Sequence, residues 1–211
     1  GWVLAGDNAS AKAGLFFGDD GFTGSAFDDR LRAFAGADTV MGAAGADFLD
    51  GGDGDDDVFG GLGNDTVVDS AGANYLRGDE GDDFVIGGAA FDDINGNMGA
   101  DTVQGGPSDD WVVGGKDNDL VSGDDGSDLV YGNLGDDTCD GGAGADTLRG
   151  GQANDSLSGG AGNDFVSGDR GDDTMTGGTG ADLFHSSGDA GLDRVLDFSV
   201  AEGGRVMLDP G

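Results

Sequence analysis

The chain has 211 residues, of which 43 are acidic and nine are lysine or arginine, giving a formal charge of −34; glycine contributes 48 residues and proline two. A charge of that sign repels nucleic acid and anionic membrane and points to cations as partners. No apolar run approaches the roughly 18 residues of a membrane-spanning helix, and the single cysteine, Cys139, leaves no internal disulfide.

Acidic chains poor in aromatics are commonly disordered, but the choice of acid argues otherwise here. Only Glu80 and Glu202 are glutamates. The short aspartate arm reaches its own backbone and tolerates turn geometry. Its near-exclusive use indicates carboxylates placed by geometry rather than for solvation.

In chain order, residues 1–23 come first. They carry Trp2, Val3, Leu4, Leu15, Phe16, Phe17 and Phe22 and are expected to cover the end of a stacked fold. No basic-then-apolar secretory signal is present in them, and a start at Gly1 is expected of a fragment or a processed chain.

From Asp29 onward a nine-residue step governs the sequence. Seventeen of the eighteen positions from 29 to 182 are Asp, the exception being Asn74. Two residues after each stands an apolar side chain, from Leu31 through Cys139 and Met175 to Phe184. Five residues before each, glycine holds sixteen positions; two before, it holds thirteen. Asp20 and Phe22 extend the phase backward. The unit is G-G-x-G-x-D-x-U-x, with U apolar, and no insertion interrupts it.

Physical chemistry converts this unit into structure. The six residues G-G-x-G-x-D form a turn in which glycine supplies the positive-φ conformations. The three residues x-U-x form a short strand with U on one face. Two units make an 18-residue coil, and stacked coils make two parallel sheets with the U residues between them. At ~4.8 Å per strand, nine coils span roughly 43 Å. A core one side chain thick is too small to order so much loop, so a second stabiliser is required. Stacked turns bring carboxylates two repeats apart in sequence close together beside loop carbonyls, a donor set suited to calcium, which takes 6–8 oxygens.

The repeat resembles the RTX (repeats-in-toxin) calcium-binding β-roll family of secreted bacterial proteins, with the closest match over about residues 24–185. The resemblance implies an all-β, right-handed parallel β-roll, a β-solenoid with two nonapeptides per coil, two short-stranded sheets and calcium in its turns. It implies ions cradled between turns one coil apart. The expected ligands in one column are Asp29, Asp47, Asp65, Asp83, Asp101, Asp119, Asp137, Asp155 and Asp173. In the other they are Asp38, Asp56, Asp128, Asp146, Asp164 and Asp182. The best-kept loops add Gly141, Gly142, Gly144, Gly159, Gly160, Gly162, Gly177, Gly178 and Gly180. Eight gaps per column allow at most about sixteen Ca²⁺ ions, whose roughly +32 charge nearly cancels −34.

The second column frays. Its loops read DSAGAN at 69–74, GGAAFD at 87–92 and GGPSDD at 105–110, so weaker or missing ions are expected along Asn74, Asp92 and Asp110. Residues flanking U face outward and several are large. Phe59, Tyr75, Trp111, Val113, Leu129 and Tyr131 lie on one sheet; Phe48, Val68, Phe84, Ile86 and Leu120 lie on the other. Such a surface suits self-association or a cell-surface or matrix partner.

Residues 186–211 are expected to form a C-terminal cap and a possible type I secretion region. Gly191, Asp193, Val195, Asp197 and Phe198 match a cap motif of the family, which implies a terminal ion site at Asp193 and Asp197. Cys139 reads as core. His185 has no partner histidine or nucleophile motif, and no H-E-x-x-H occurs, so neither a triad nor a zinc-protease site is expected.

The resulting expectation is a non-catalytic, calcium-binding structural roll of a secreted bacterial protein, unfolded at low calcium and folded outside the cell. Its role would be as a surface-layer, filament or matrix/adhesion protein. The alternative is the C-terminal module of a larger secreted protease, lipase or epimerase.

Overall fold

The computed structural model describes residues 2–3, 18–186 and 191–208. Among these residues there are strands, turns and no helix, hence no helix long and apolar enough to cross a membrane. The strands form two sheets, one of twelve strands and one of ten, and every pairing is parallel. From Gly21–Thr23 onward successive strands alternate between the sheets, so neighbours within a sheet lie two repeats apart in the regular part of the chain: Leu148 is opposite Val166, and Cys139 is opposite Leu157.

The apolar residues of the repeat fill the space between the sheets. From Leu31 to Phe184 all eighteen are buried, and Phe22 extends the row backward. Cys139 is one of them, 1% exposed, and burial pushes its thiol pKa up. It packs as a small apolar side chain.

The division of the repeat differs from the expected six-residue turn and three-residue strand. Typical strands have six residues, as in Thr147–Gln152 and Phe165–Arg170. The strand therefore continues through both leading glycines, and the turn shrinks to the three residues G-x-D. Glycine is a weak strand former because it has no side chain to pack; here the ladder runs through it, with Gly142, Gly160 and Gly178 paired from coil to coil. The ladder misses one rung, however. Arg149 pairs with Ser167 and Gly151 with Asp169, while Gly150 and Gly168 between them do not pair. The first glycine of the unit is turned out of the ladder at the place where the site forms.

Within the repeat, positive φ is confined to the second and fourth residues of the unit, such as Gly142 (φ 100°) and Gly144 (φ 145°). Asp79, Asn97, Asn133 and Asp169 take the second position with φ between 67° and 83°. Short polar side chains tolerate this region better than most.

The frayed loops shorten the ladder. Thr66–Val68 and Phe84–Ile86 have three residues each. Beyond them the strand pairing gives way to isolated bridges from Asp53 to Ala71 and from Ala71 to Ala89.

At the N-terminal end, Trp2–Val3 pairs with Gly21–Thr23. Leu4, Leu15, Phe16 and Phe17, assigned above to a cap, lie outside the described residues. At the other end the two-repeat spacing stretches. Val195 stands opposite Met175 and Val206 opposite Phe184, each further along the chain than two nonapeptides would carry it. The Phe198 ring meets Phe184 edge-on at 6.3 Å.

Of the outward residues, Trp111, Leu129, Tyr75, Phe84 and Leu120 are exposed, whereas Val113 is buried, contrary to the expectation for it. The flanking positions are thus not equivalent. Tyr131 and Phe59 are half-buried, and Phe59 leans on Tyr75 at 5.8 Å between ring centroids.

Candidate metal centre

Each turn places its aspartate at the base of the next strand, and the carboxylate divides its two oxygens between separate tasks. Asp146 Oδ1 accepts the Asp128 N–H at 2.9 Å, and Asp164 Oδ1 accepts the Asp146 N–H at 2.9 Å. This ladder runs unbroken from Asp20 to Asp182 in one column and from Asp29 to Asp173 in the other, with Asn74 taking part through Oδ1. Every repeat aspartate is buried, at 6% exposure or less.

The second oxygen has no such partner. Among the described residues, fourteen repeat aspartates bury an Oδ2 that no donor reaches: Asp38, Asp47, Asp56, Asp65, Asp83, Asp101, Asp110, Asp119, Asp128, Asp137, Asp146, Asp155, Asp164 and Asp173. A buried anionic oxygen without a donor is costly unless a cation neutralises it.

The first glycine of the unit shows where these oxygens point. A Cβ placed on Gly141 would meet Asp146 Oδ2 at 2.6 Å and the Gly159 carbonyl oxygen, one coil on, at 2.6 Å. The same holds at Gly159 with Asp164 Oδ2 and the Gly177 carbonyl, both at 2.6 Å. At Gly177 the Asp182 Oδ2 closes on the same point. Each such glycine leaves room for an oxygen-lined cradle that any side chain would fill. Gly142, Gly160 and Gly178, in the strands, and Gly144, Gly162 and Gly180, in the turns, supply positive φ between 92° and 154°.

Sequence reasoning treated all three glycines alike. The clue was their unequal frequency, since the cradle position is glycine in sixteen repeats and the fourth position in thirteen. A second ladder was also missed. The residue before the repeat aspartate often carries an acceptor for the N–H one coil on: Asp55 for Ala73, Asp109 for Ser127, Asp136 for Asn154 and Asn154 for Asp172. Its trace in the sequence is the run of Asp, Asn and Ser at that position.

Four repeats depart from the pattern. Asp29 Oδ2 accepts the Ser25 N–H at 2.6 Å and its hydroxyl at 2.8 Å. Asn74 Nδ2 donates to the Gly72 carbonyl at 3.1 Å. Asp92 Oδ2 accepts the Gly88 N–H at 2.8 Å. Ala33 puts a fully buried methyl at the cradle position before Asp38. Asp110, by contrast, keeps a free Oδ2 like the regular members, despite the unusual loop before it. At the C-terminal end, Asp197 Oδ1 and Oδ2 accept the Gly177 and Gly178 N–H groups at 2.9 and 2.7 Å. Asp193 Oδ2 accepts the Ser186 hydroxyl at 2.9 Å. These two carboxylates close the last coil through hydrogen bonds.

Burial pushes the cradle carboxyls well above the ordinary aspartate range. The Asp119 pKa rises to about 8, those of Asp65, Asp83, Asp110 and Asp155 to about 7, and those of Asp101, Asp128, Asp164 and Asp173 to about 6. Desolvation is the main cause in each. The N–H donated from the preceding coil opposes it, and neighbouring carboxylates add to it. Positive side chains do little to relieve the turns, since the three ion pairs among the described residues (Arg32–Asp50, Arg77–Asp93 and Arg149–Asp169) involve strand residues.

The donor set is one of carboxylate and carbonyl oxygens alone, held by successive coils. Among the described residues no three His, Cys, Asp or Glu side chains gather at one point, so a soft metal finds no nitrogen or sulfur cage. Hard oxygen ligands from two loops match calcium. Met175, Phe184 and His185 line a separate hollow with Leu192 and Val206. There His185 Nδ1 lies 3.1 Å from the buried Ser167 hydroxyl.

No curated protein matches the chain in sequence. The family model for the RTX calcium-binding nonapeptide repeat matches residues 16–49, 32–67, 60–94, 68–103, 95–130, 104–139, 114–148, 140–175 and 149–184. Those segments together cover residues 16–184, most of the coiled stack. The chain therefore belongs to the RTX nonapeptide-repeat family of calcium-binding β-rolls.

Proposed function

We propose that the chain is the structural roll of a secreted bacterial protein that folds when external calcium fills its turns. The observation that carries this reading is the set of fourteen buried Oδ2 atoms without donors, eight of which, those of Asp47, Asp65, Asp83, Asp110, Asp128, Asp137, Asp146 and Asp164, converge with a carbonyl oxygen one coil away. The ligands are the repeat aspartates from Asp29 to Asp182 with the carbonyls of the cradle glycines, up to about sixteen ions in two columns. Calcium supplies the charge neutralisation that lets −34 fold. Residues 1–23 and 186–211 act as caps around the roll of residues 24–185.

Affinities of ~10⁻⁴–10⁻³ M suit an extracellular module. They would leave the chain unfolded at cytosolic calcium for export and fold it outside. Exposed Trp111 and Leu129 on neighbouring coils favour a role in surface assembly or in a matrix.

The test is circular dichroism with size-exclusion light scattering, titrating calcium against magnesium. A cooperative gain of β signal with calcium alone is expected, together with a rise in mass in whole multiples. At pH 8, a chain folded in chelator, or indifferent to calcium, overturns the metal-folded reading. A folded monomer at every concentration overturns self-assembly while leaving the metal reading intact.

A further inference from the structure

Besides Ser70 in place of the second glycine, the loop 69–74 departs from the repeat at two ligand-bearing positions: Asn74 stands for the ligand aspartate, and Asp69 stands where the cradle glycine belongs. On the pattern alone these are two defects. In the structure they are related.

Asp69 Oδ1 accepts the Ala71 N–H at 3.0 Å, which fixes the carboxylate in a local turn. Its Oδ2 is thereby aimed back toward the preceding coil. A Cβ placed on Gly51 would meet that oxygen, and would meet Asp56 Oδ2 at 2.7 Å. Both oxygens thus converge on one point. Asp56 is 1% exposed and Asp69 8%, and neither Oδ2 has a donor. The regular cradles at Gly141 and Gly159 present one carboxylate and one carbonyl at this point; this one presents two carboxylates.

We infer that Asp56 and Asp69 form a two-carboxylate divalent-cation site in which Asp69 replaces the ligand that Asn74 has lost. This rests on the reading that the cradles hold calcium. Two carboxylates converging in a dry cradle repel each other strongly, and a hard divalent ion removes that repulsion while retaining both as ligands. Higher ligand charge tightens calcium binding, so this is the site of the second column that fills first. The true break in that column lies one coil further, where Asn74 presents an amide nitrogen and Asp92 Oδ2 is already bonded to the Gly88 N–H.

The experiment is a calcium titration of the full chain by native mass spectrometry, counting bound ions, with folding followed in parallel. Asp69→Asn keeps the side-chain shape and removes the charge. Asp69→Gly restores the regular repeat and so retains the fold. Asp53→Asn removes a charge from the adjoining loop outside the cradle. One ion per chain is expected to move to about tenfold higher calcium in both Asp69 variants and to stay in place in Asp53→Asn. If both Asp69 variants fill at the same calcium as the parent, or if Asp53→Asn shifts the same ion equally, the inference is overturned. If the parent chain binds no calcium at all, it is the proposed function that fails.

Discussion

Adjacent glycines in one repeat do different work. Gly159 has an ordinary φ and is glycine because a methyl would sit among the cradle oxygens, whereas Gly160 at φ 98° supplies a conformation that L side chains rarely take. The two are separable by experiment. Gly159→Ala is expected to bind one calcium fewer by native mass spectrometry. Gly160→Ala is expected to keep the ion count and to lower stability by about 1–3 kcal/mol in urea titrations at saturating calcium. An unchanged count in Gly159→Ala removes the cradle role. The carboxyls make a second prediction. Their folded pKa values of about 6 to 8 exceed the ordinary value of 3.8, so the folded chain binds more protons than the unfolded one between those limits. Without added cation their contribution is fully present below about pH 4 and is lost as pH rises through 6 to 8. In chelator, β signal is therefore expected to grow on acidification, whereas saturating calcium should hold the fold at pH 8 and be displaced by protons in acid. A chelator sample with no change in signal between pH 8 and pH 4 contradicts this.

Strand boundaries were the least legible part of the sequence, for a physical reason. Glycine lowers strand propensity, so the pair of glycines read as turn, yet stacking of identical units carries the ladder through them. The two-sheet architecture, the two-repeat coil and the buried row from Leu31 to Phe184 were all legible, because periodicity reports burial directly. The Asp69 carboxylate was not, since its destination lies in another coil. Nor was the hold at the C-terminal end, where the phase is lost and only coordinates show Asp197 taking two N–H groups of the preceding coil. Asp197→Ala orphans both donors. Its expected cost is about 1–3 kcal/mol, with faster hydrogen exchange at Gly177 and Gly178. Exchange there at the parental rate would assign the closure elsewhere.

Across the whole molecule, each regular strand bonds only to strands one coil before and after. Stability in such a stack is a sum over coils and their interfaces. Deleting residues 141–158 removes one coil in phase. The shortened chain is expected to show the same calcium-dependent β signal per residue and to bind two ions fewer. Failure to fold at millimolar calcium would mean that coils do not act as interchangeable units.

Interchangeable coils carry a hazard of their own, which is miscounting. Val58, Val112 and Val130 are equally buried in the same sheet, so a chain that looped out one coil and stacked the next in its place would bury an equivalent side chain. The loop at 69–74 forbids this locally. Asp69 fits against Gly51, where no side chain stands in the way. With coil 51–68 looped out it would face Ala33 instead, and a methyl would occupy the space its carboxylate needs. Arg77, bonded to Asp93 at 2.8 Å and stacked on Tyr75, marks the same neighbourhood from the strand side. The loop that spoils the repeat is thus its index mark, the notch from which the coils on either side are numbered.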